Sequence, residues 1–507
     1  MPKMTWNQRM VQIGTECIKW IGFLLTGVLF IYSFFRTTLL LWDNDYKERA
    51  VVVEDKAWLC LLGIGIFMLF LYYLKKSRWW ERVSVRRIHV LSMVFFVIVG
   101  VAYVYLSKNH PNADQLMVSQ VAAQTMGHAY LSFGEQYLQG YPHQLGIIWL
   151  FSWIYRFFHT QEFVVIMYVN VFLMAGIVEL MYQIVRTRLS EDAKKAYFLV
   201  CCLSVNLILY CTFVYGTIIG LFFAVLGLFE EVKFFEKKKV FYMLGAACSF
   251  AFSLIAKENY LIFLIAGILY WLGKSMQRFT WKNLVGVCLV LAVLAPTGIQ
   301  RYYEKESGIQ FASGIPSIAY VTMGLQEGPI ANGWHNQYDA DLYQNTGGNV
   351  EKMQSQAVAD LKERVDTFVE NPQYAVEFFK EKFCTQWNDP TFQSLWNSSK
   401  LGWYSEELPK ITHSLYYGKL NAIVHQWLNL FVMMIWLGNV LFVILFRKKT
   451  DLEYWIFVLC FIGGVTFHLM WEAKALYAFP YYVIMLPNAV MGLSSVLERV
   501  EAKRKGN

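Results

Sequence analysis

Charge is what this sequence has least of: 16% of its 507 residues are Asp, Glu, Lys or Arg, while 56% are hydrophobic and 17% aromatic. Its apolar residues come in long unbroken runs, which excludes an ordinary soluble domain and leaves a multi-span membrane protein. Cysteine outside those runs is almost absent. Of nine cysteines only Cys384 falls in a long polar segment, and the others sit where a thiol is a small hydrophobe, so no disulfide framework is available. Phosphate-loop, G-x-S-x-G and C-x-x-C motifs are missing, which leaves ATP hydrolysis, serine hydrolysis and dithiol chemistry without support. Seven of nine histidines fall in residues 107–162 and 300–425, but none at metal-ligand spacing, so no cofactor is implied and a divalent metal has no support. The net charge of +8 forms no stripe suited to a duplex, which argues against nucleic acid as a partner. No inverted pair of broken spans appears, which disfavours a secondary transporter.

What is present is a series of twelve apolar runs, near 18–36, 57–74, 88–106, 163–185, 197–215, 217–232, 240–256, 259–272, 283–299, 426–446, 453–470 and 477–497. Most approach the length needed to cross a ~30 Å hydrocarbon core. The expected fold is an all-α polytopic membrane helix bundle of about 12 spans. It divides into residues 1–87, two spans and a basic loop; 88–299, a core containing the loop 107–162; 300–425, a long segment with a helical cap; and 426–507, three spans and a basic tail. The first run follows Lys3 and Arg9 but is too long for a signal peptide, so it reads as a retained helix.

Basic residues set the orientation. Lys75 to Arg87, Arg186 to Lys195, Lys233 to Lys239, Lys274 to Lys282, Arg447 to Lys449 and Arg499 to Lys505 all prefer the cytoplasm. They agree only if Gly146 to Phe158 does not cross. That stretch is short and carries Trp149, Trp153, Tyr155 and Arg156, the residues of a helix lying in the interface; the alternative is a crossing in a thinned bilayer. Both termini are then cytoplasmic, and the loops 37–56, 107–162 and 300–425 with the turns at Lys257 and Trp471 to Leu476 face outward from the cell membrane. Seven of eleven prolines fall in the two long outer segments, a sign of shaped loops.

Polar chemistry is sorted to that face. Asp114 is an isolated acid placed either to take a proton from a hydroxyl or to cap the helix that follows. Glu135 and the Tyr137-to-Gln144 segment, with Tyr141, His143 and Gln144, offer stacking faces and hydrogen bonds to a sugar, or form a turn anchored at headgroups. Lys257, Glu258 and Asn259 interrupt two apolar stretches, where an ionisable group is either functional or part of a re-entry turn. Glu472 and Lys474, followed by Tyr477, repeat the pattern. Asp43-Asn44-Asp45 is a D-x-D pair of the kind that holds a divalent ion, or a solvated cap. Inside the spans ionisable groups are few, Glu179 being the main exception.

Asp114, the Tyr-Pro-His-Gln knot and the turn FVYGTIIGL at Phe213 to Leu221 stand in an order that continues with Lys257-Glu258-Asn259, MGLQEGPIANGWHNQY, FFKEKFCTQWNDPTFQS and WEAKALYAFPYYVIMLP. In this the chain resembles the GT-C superfamily of membrane glycosyltransferases, in its bacterial family 39-like and protein-O-mannosyltransferase-like branch. The resemblance implies transfer of a sugar from a polyprenyl-phosphate-linked donor to an acceptor hydroxyl of a glycan, lipid or protein at the outer membrane face, with inversion. It casts Asp114 as the base and Lys257 and Lys474 as the groups that hold the lipid phosphate. Two departures stand out: Thr217, where relatives often have Asp, and Leu476, where they often have Arg. The alternatives are a transporter or flippase of lipid-linked saccharide, and an O-antigen polymerase or ligase. The few ionisable groups inside the spans weaken the first. The presence of only Arg301 and Arg364 in the 300–425 segment weakens the second.

Overall fold

The computed structural model describes residues 5–42, 48–399 and 408–505. Helix dominates, because backbone in hydrocarbon must satisfy its own amides and carbonyls. Helix α1 (Trp6–Phe35) opens on a reciprocal cap, Thr5 accepting from the Gln8 amide and the Gln8 side chain from the Thr5 amide. The chain then forms an antiparallel hairpin, β1 (Arg36–Trp42) and β2 (Glu48–Glu54), in register from Arg36–Glu54 to Trp42–Glu48. This corrects the expectation of a plain loop over 37–56. The Thr, Leu and Val residues there suit a strand, and the hairpin is held from outside: Thr38 N–H donates to the Asn388 carbonyl at 3.1 Å and Ala50 N–H to the Ile330 carbonyl at 3.4 Å. Asp43-Asn44-Asp45 lies outside the described residues.

Helices α2 (Ala57–Lys76), α3 (Arg78–Arg82) and α4 (Val85–Ser107) follow. The Ser84 hydroxyl caps α4 at the Arg87 amide, and Lys108 ends it with a left-handed φ of 48°. Next come α5 (Ala113–Met126), α6 (Gln136–Gly140), α7 (Leu145–Phe158) and α8 (Val164–Val185). Helix α7 has 14 residues, burying Ile148, Phe151 and Tyr155 while Trp153 and Phe157 stay exposed. The His110 ring meets Phe163 at 4.7 Å, so the chain between α4 and α8 leaves and returns at one end of the bundle. At 14 residues, helix α7 is not among the helices long and apolar enough to cross a membrane.

The run at 197–215 is not one straight span. Helices α9 (Glu191–Leu203) and α10 (Val205–Leu209) are separated at Ser204, and the α9 axis and the Val205–Thr212 stretch bend by 52°. Helices α11 (Gly216–Lys237), α12 (Val240–Ala256) and α13 (Leu261–Gln277) precede a 3₁₀ stretch, Trp281–Leu294, which continues into α14 (Ala295–Ser307). Among the described residues eight helices are long and apolar enough to cross a membrane, nine if the bent pair counts as one span, and Val240–Ala256 and Ile456–Met470 are shorter apolar helices. Glu179 is joined inside the bundle by Glu230 and Glu231, which the apolar run had concealed; Glu179 meets His89 at 2.6 Å, and Glu231 is fully buried.

The long segment supplies α15 (Ser317–Gly324), α16 (Tyr338–Asn345), α17 (Val350–Glu370), α18 (Pro372–Trp387), α19 (Ser394–Ser399) and α20 (Lys410–Tyr417). The break at Asn371-Pro372 falls where it was expected: Asn371 caps the Tyr374 amide and Pro372 takes the first helical position. The segment is anchored in the bundle, with the Trp387 ring 5.8 Å from Phe461 and 6.0 Å from Tyr481. Helices α21 (Lys419–Phe446), α22 (Ile456–Met470) and α23 (Phe479–Lys505) complete the chain. At the end opposite the α4–α8 loop, basic loops are paired off: Lys75 with Asp192 at 3.2 Å and Glu501 at 3.0 Å, and Lys274 with Glu453 at 2.7 Å.

Candidate active site

The site is assembled from span ends far apart in sequence. Lys257 breaks the chain between α12 and the next turn, and two glycines allow neighbours to press against that break. A Cβ on Gly216 would sit 1.9 Å from the Ala256 carbonyl oxygen, and one on Gly146 2.1 Å from that of Ile255. Tyr215 is thereby held beside Lys257, whose ammonium lies 5.5 Å from the Tyr215 ring and 4.7 Å from the Tyr477 ring. Burial pushes the Lys257 amine down to about 8, with Lys474 adding to the shift and Glu472 and Asp114 opposing it.

Asp114 stands in the first turn of α5 and is exposed, while the cap position belongs to Asn112. Asn112 makes no side-chain capping hydrogen bond there. Ala113 holds a left-handed φ of 45°, a conformation that costs a residue with a Cβ roughly 1 kcal/mol. The Tyr137 hydroxyl donates to the Asp114 carboxylate at 3.1 Å. Burial raises the Tyr137 phenol, and the charge of Asp114 adds to the effect. His143 opens onto the same cleft with protein crowding all around it; that desolvation pushes its imidazole down to about 4, with Lys257 adding and Asp114 opposing. Gln144 donates to the Tyr215 hydroxyl.

Glu472 and Lys474 close the cleft. Their side chains meet at 3.2 Å, and the Tyr477 hydroxyl donates to Glu472 at 3.3 Å. Burial works against the Lys474 ammonium, but the carboxylates of Glu472, Asp114 and Glu48 overcome it and hold the group above the ordinary amine range. Tyr141, whose phenol burial raises, donates to Asp339 at 2.8 Å. Burial alone would raise the Asp339 carboxyl; His335, 3.6 Å away, and Tyr141 reverse that and lower it.

Asp114, Tyr141, His143, Gln144, Lys257, Glu472, Lys474 and Tyr477 are thus gathered at one cleft. Glu135 and Glu258 are exposed and begin short helical turns, with no side-chain hydrogen bond or ion pair to that group among the described residues; burial nonetheless raises the Glu258 carboxyl. Thr217 is buried in the first turn of α11, so the position where an acid was missed faces protein. Among the described residues no group of three or more His, Cys, Asp or Glu is placed to hold a metal ion.

Four residues escaped the sequence reading as individuals. Asp339 and His335 are two of them. Gln393, at a left-handed φ of 62°, accepts from the Leu476 amide at 3.1 Å and donates to Glu48. Lys382 is fully buried and donates to the carbonyls of Gly324, Leu469 and Trp471 at 2.5, 2.9 and 2.8 Å. The Ala473 amide donates to the Gly333 carbonyl at 2.7 Å. Three of the quoted motifs are thereby locked together beneath Glu472 and Lys474. Lys382→Met removes the donor from one buried and two partly buried carbonyls and is expected to cost about 3 kcal/mol of stability, read as a lowered denaturation midpoint; an unchanged midpoint would remove Lys382 from this role.

A polytopic helix bundle with this charged cluster at one end is consistent with the resemblance to membrane glycosyltransferases of the GT-C type, and one comparison supports that resemblance over part of the chain. Residues 142–299 match the model of the family described as dolichyl-phosphate-mannose-protein mannosyltransferase. The matched stretch includes His143, Gln144, Tyr215 and Lys257; Asp114, Glu472 and Lys474 lie outside it. No curated protein matches the chain.

Proposed function

We propose that the protein transfers a sugar from a polyprenyl-phosphate-linked donor to an acceptor hydroxyl at the extracytoplasmic face of the cell membrane, inverting the anomeric centre. Asp114 accepts the proton of the acceptor hydroxyl as its oxygen attacks the sugar's anomeric carbon. The bond from that carbon to the phosphate oxygen breaks, and the phosphate stays on the lipid carrier with increased charge. Lys257 and Lys474 meet that charge where it develops. Glu472 holds Lys474 in place, and Tyr141, His143, Gln144 and Tyr477 line the space for the sugar. The observation that carries this reading is the convergence of one acid and two lysines from three distant segments on one tyrosine-lined cleft.

Lys257 gives the reaction a pH signature. A lysine pushed down to about 8 is charged below that pH and neutral above it, so its attraction for a phosphate is present at low pH and lost as pH rises. The donor's kcat/KM, which reports the free enzyme, is expected to fall as pH passes about 8. In Lys257→Met that limb should disappear, and an identical profile in the variant would rule Lys257 out.

Orientation has its own test. A cysteine at the exposed Leu131 should react with an impermeant maleimide from outside intact cells, and one at Ser190 only after permeabilisation. The reverse pattern would put the cleft on the cytoplasmic side.

A further inference from the structure

A cavity of about 450 Å³ opens between the hairpin and the first turns of α21; sites for small ligands run from roughly 300 to 1,000 Å³. Its walls differ in kind. Leu39, Leu41 and Val53 of the hairpin contribute an apolar side. Asn421, His425 and Asn429, one turn apart on α21, contribute amides and an imidazole, with Gln426 beside them. Trp396, Tyr416 and Tyr417 add aromatic faces. The His425 Nδ1 is buried with no hydrogen-bond partner.

Charge decides what fits. Among the described lining residues there is no lysine or arginine, and the one carboxylate, Asp55, already accepts from the Thr37 hydroxyl at 2.6 Å. A phosphate would enter uncompensated. Neutral hydroxyls suit amides, imidazole and carboxylate, and aromatic rings suit the apolar faces of a sugar. Position points the same way. The Tyr416 hydroxyl donates to the Ser107 carbonyl at 3.2 Å, so the cavity shares the end of the bundle from which α4 leads to Asp114. The two spaces also share a wall. Thr391 lines the cavity, while Gln393, two residues on, reaches the Leu476 amide beside Lys474. Asp389 fixes that wall by accepting from the Thr391 amide at 2.8 Å and the Gln393 amide at 2.7 Å.

We infer that this cavity holds the uncharged, hydroxyl-rich sugar head of a membrane lipid, its apolar stem lying along the hairpin leucines, on the acceptor side of the cleft. The acceptor role rests on the proposed function; the binding does not. The test is photolabelling of the full-length protein in phosphatidylcholine nanodiscs with a diazirine-bearing octyl glucoside, adducts being located by mass spectrometry. Adducts are expected within residues 36–42, 48–55, 391–399 and 416–429. Unlabelled monohexosyl diacylglycerol should compete, and phosphatidylglycerol should not. Asn429→Phe, which fills the cavity, should lower labelling roughly tenfold with an unchanged unfolding midpoint. Gln426→Leu, on the more exposed edge, serves if that variant does not fold. Asp114→Asn should label like wild type. Adducts scattered over lipid-facing helices, equal competition by phosphatidylglycerol, or wild-type labelling of both folded cavity variants would overturn the site. Labelling without sugar transfer would keep the site and remove its acceptor role, whereas transfer without labelling would remove the site alone.

Discussion

Asp114→Asn lowers kcat by roughly 10²- to 10⁴-fold, the usual contribution of a positioned general base, and leaves the donor's KM nearly unchanged. The substitution keeps the shape of the side chain and an oxygen able to accept from the Tyr137 hydroxyl, whose bond to Asp114 is 3.1 Å. What it removes is the capacity to take a proton. Lost proton transfer depresses turnover and not ground-state binding, so the loss should appear in kcat and kcat/KM alike. A structural role would show instead as a lowered unfolding midpoint, since the first turn of α5 begins from the left-handed Ala113. Steady-state kinetics beside thermal unfolding separates the two, and wild-type turnover in a folded Asp114→Asn protein takes Asp114 out of the mechanism.

Lys474→Ala is expected to lower kcat by roughly 10²- to 10³-fold, the scale for loss of a group aimed at developing negative charge. Lys474 is the better placed of the two lysines for this work. Glu472, Asp114 and Glu48 keep its ammonium charged above the ordinary range despite burial, whereas Lys257 is pushed down to about 8. Removing Lys474 also strands the buried Glu472 carboxylate, 3.2 Å away, which by itself destabilises the fold. The double variant Glu472→Gln/Lys474→Ala relieves that stranded charge. Stability should recover in the double variant while turnover stays low. Recovery of both would make the lysine a structural counter-ion only.

The sequence exposed these residues because an ionisable group at the end of an apolar run is conspicuous. Lys257, Glu472 and Lys474 stand out on that ground, whereas Asp114 rises above a helix cap only through its company and the family resemblance; charge counting along the loops reads α7 as an interfacial helix. Glu135 and Glu258 stand out equally, and both are exposed with no side-chain hydrogen bond or ion pair to the other site residues among the described residues; linear sequence does not say which groups a turn brings into contact. Lys382 and Gln393 hid for the opposite reason. In a polar segment one more lysine or glutamine carries no signal, and their importance comes from the distant carbonyl and amide groups they reach, at Leu469, Trp471 and Leu476. The hairpin was missed because its two seven-residue strands are short and tied down by Asn388 and Ile330, residues hundreds of positions away. The break at Ser204 and the 3₁₀ stretch from Trp281 leave no mark on an apolar run, since hydrophobicity alone does not distinguish a bent or tightened helix from a straight one.

The central claim is that the Asp114 cleft spends a polyprenyl-phosphate-linked sugar. The direct measurement incubates the full-length protein in nanodiscs with a short-chain polyprenyl-monophosphate sugar and a membrane lipid extract as acceptor, following free carrier phosphate and sugar-bearing product together. The account predicts that both appear in equal amounts with wild-type protein and fall together in Asp114→Asn. Donor left unconsumed beyond the level in empty nanodiscs, or consumed equally by the Asp114→Asn protein, would contradict it.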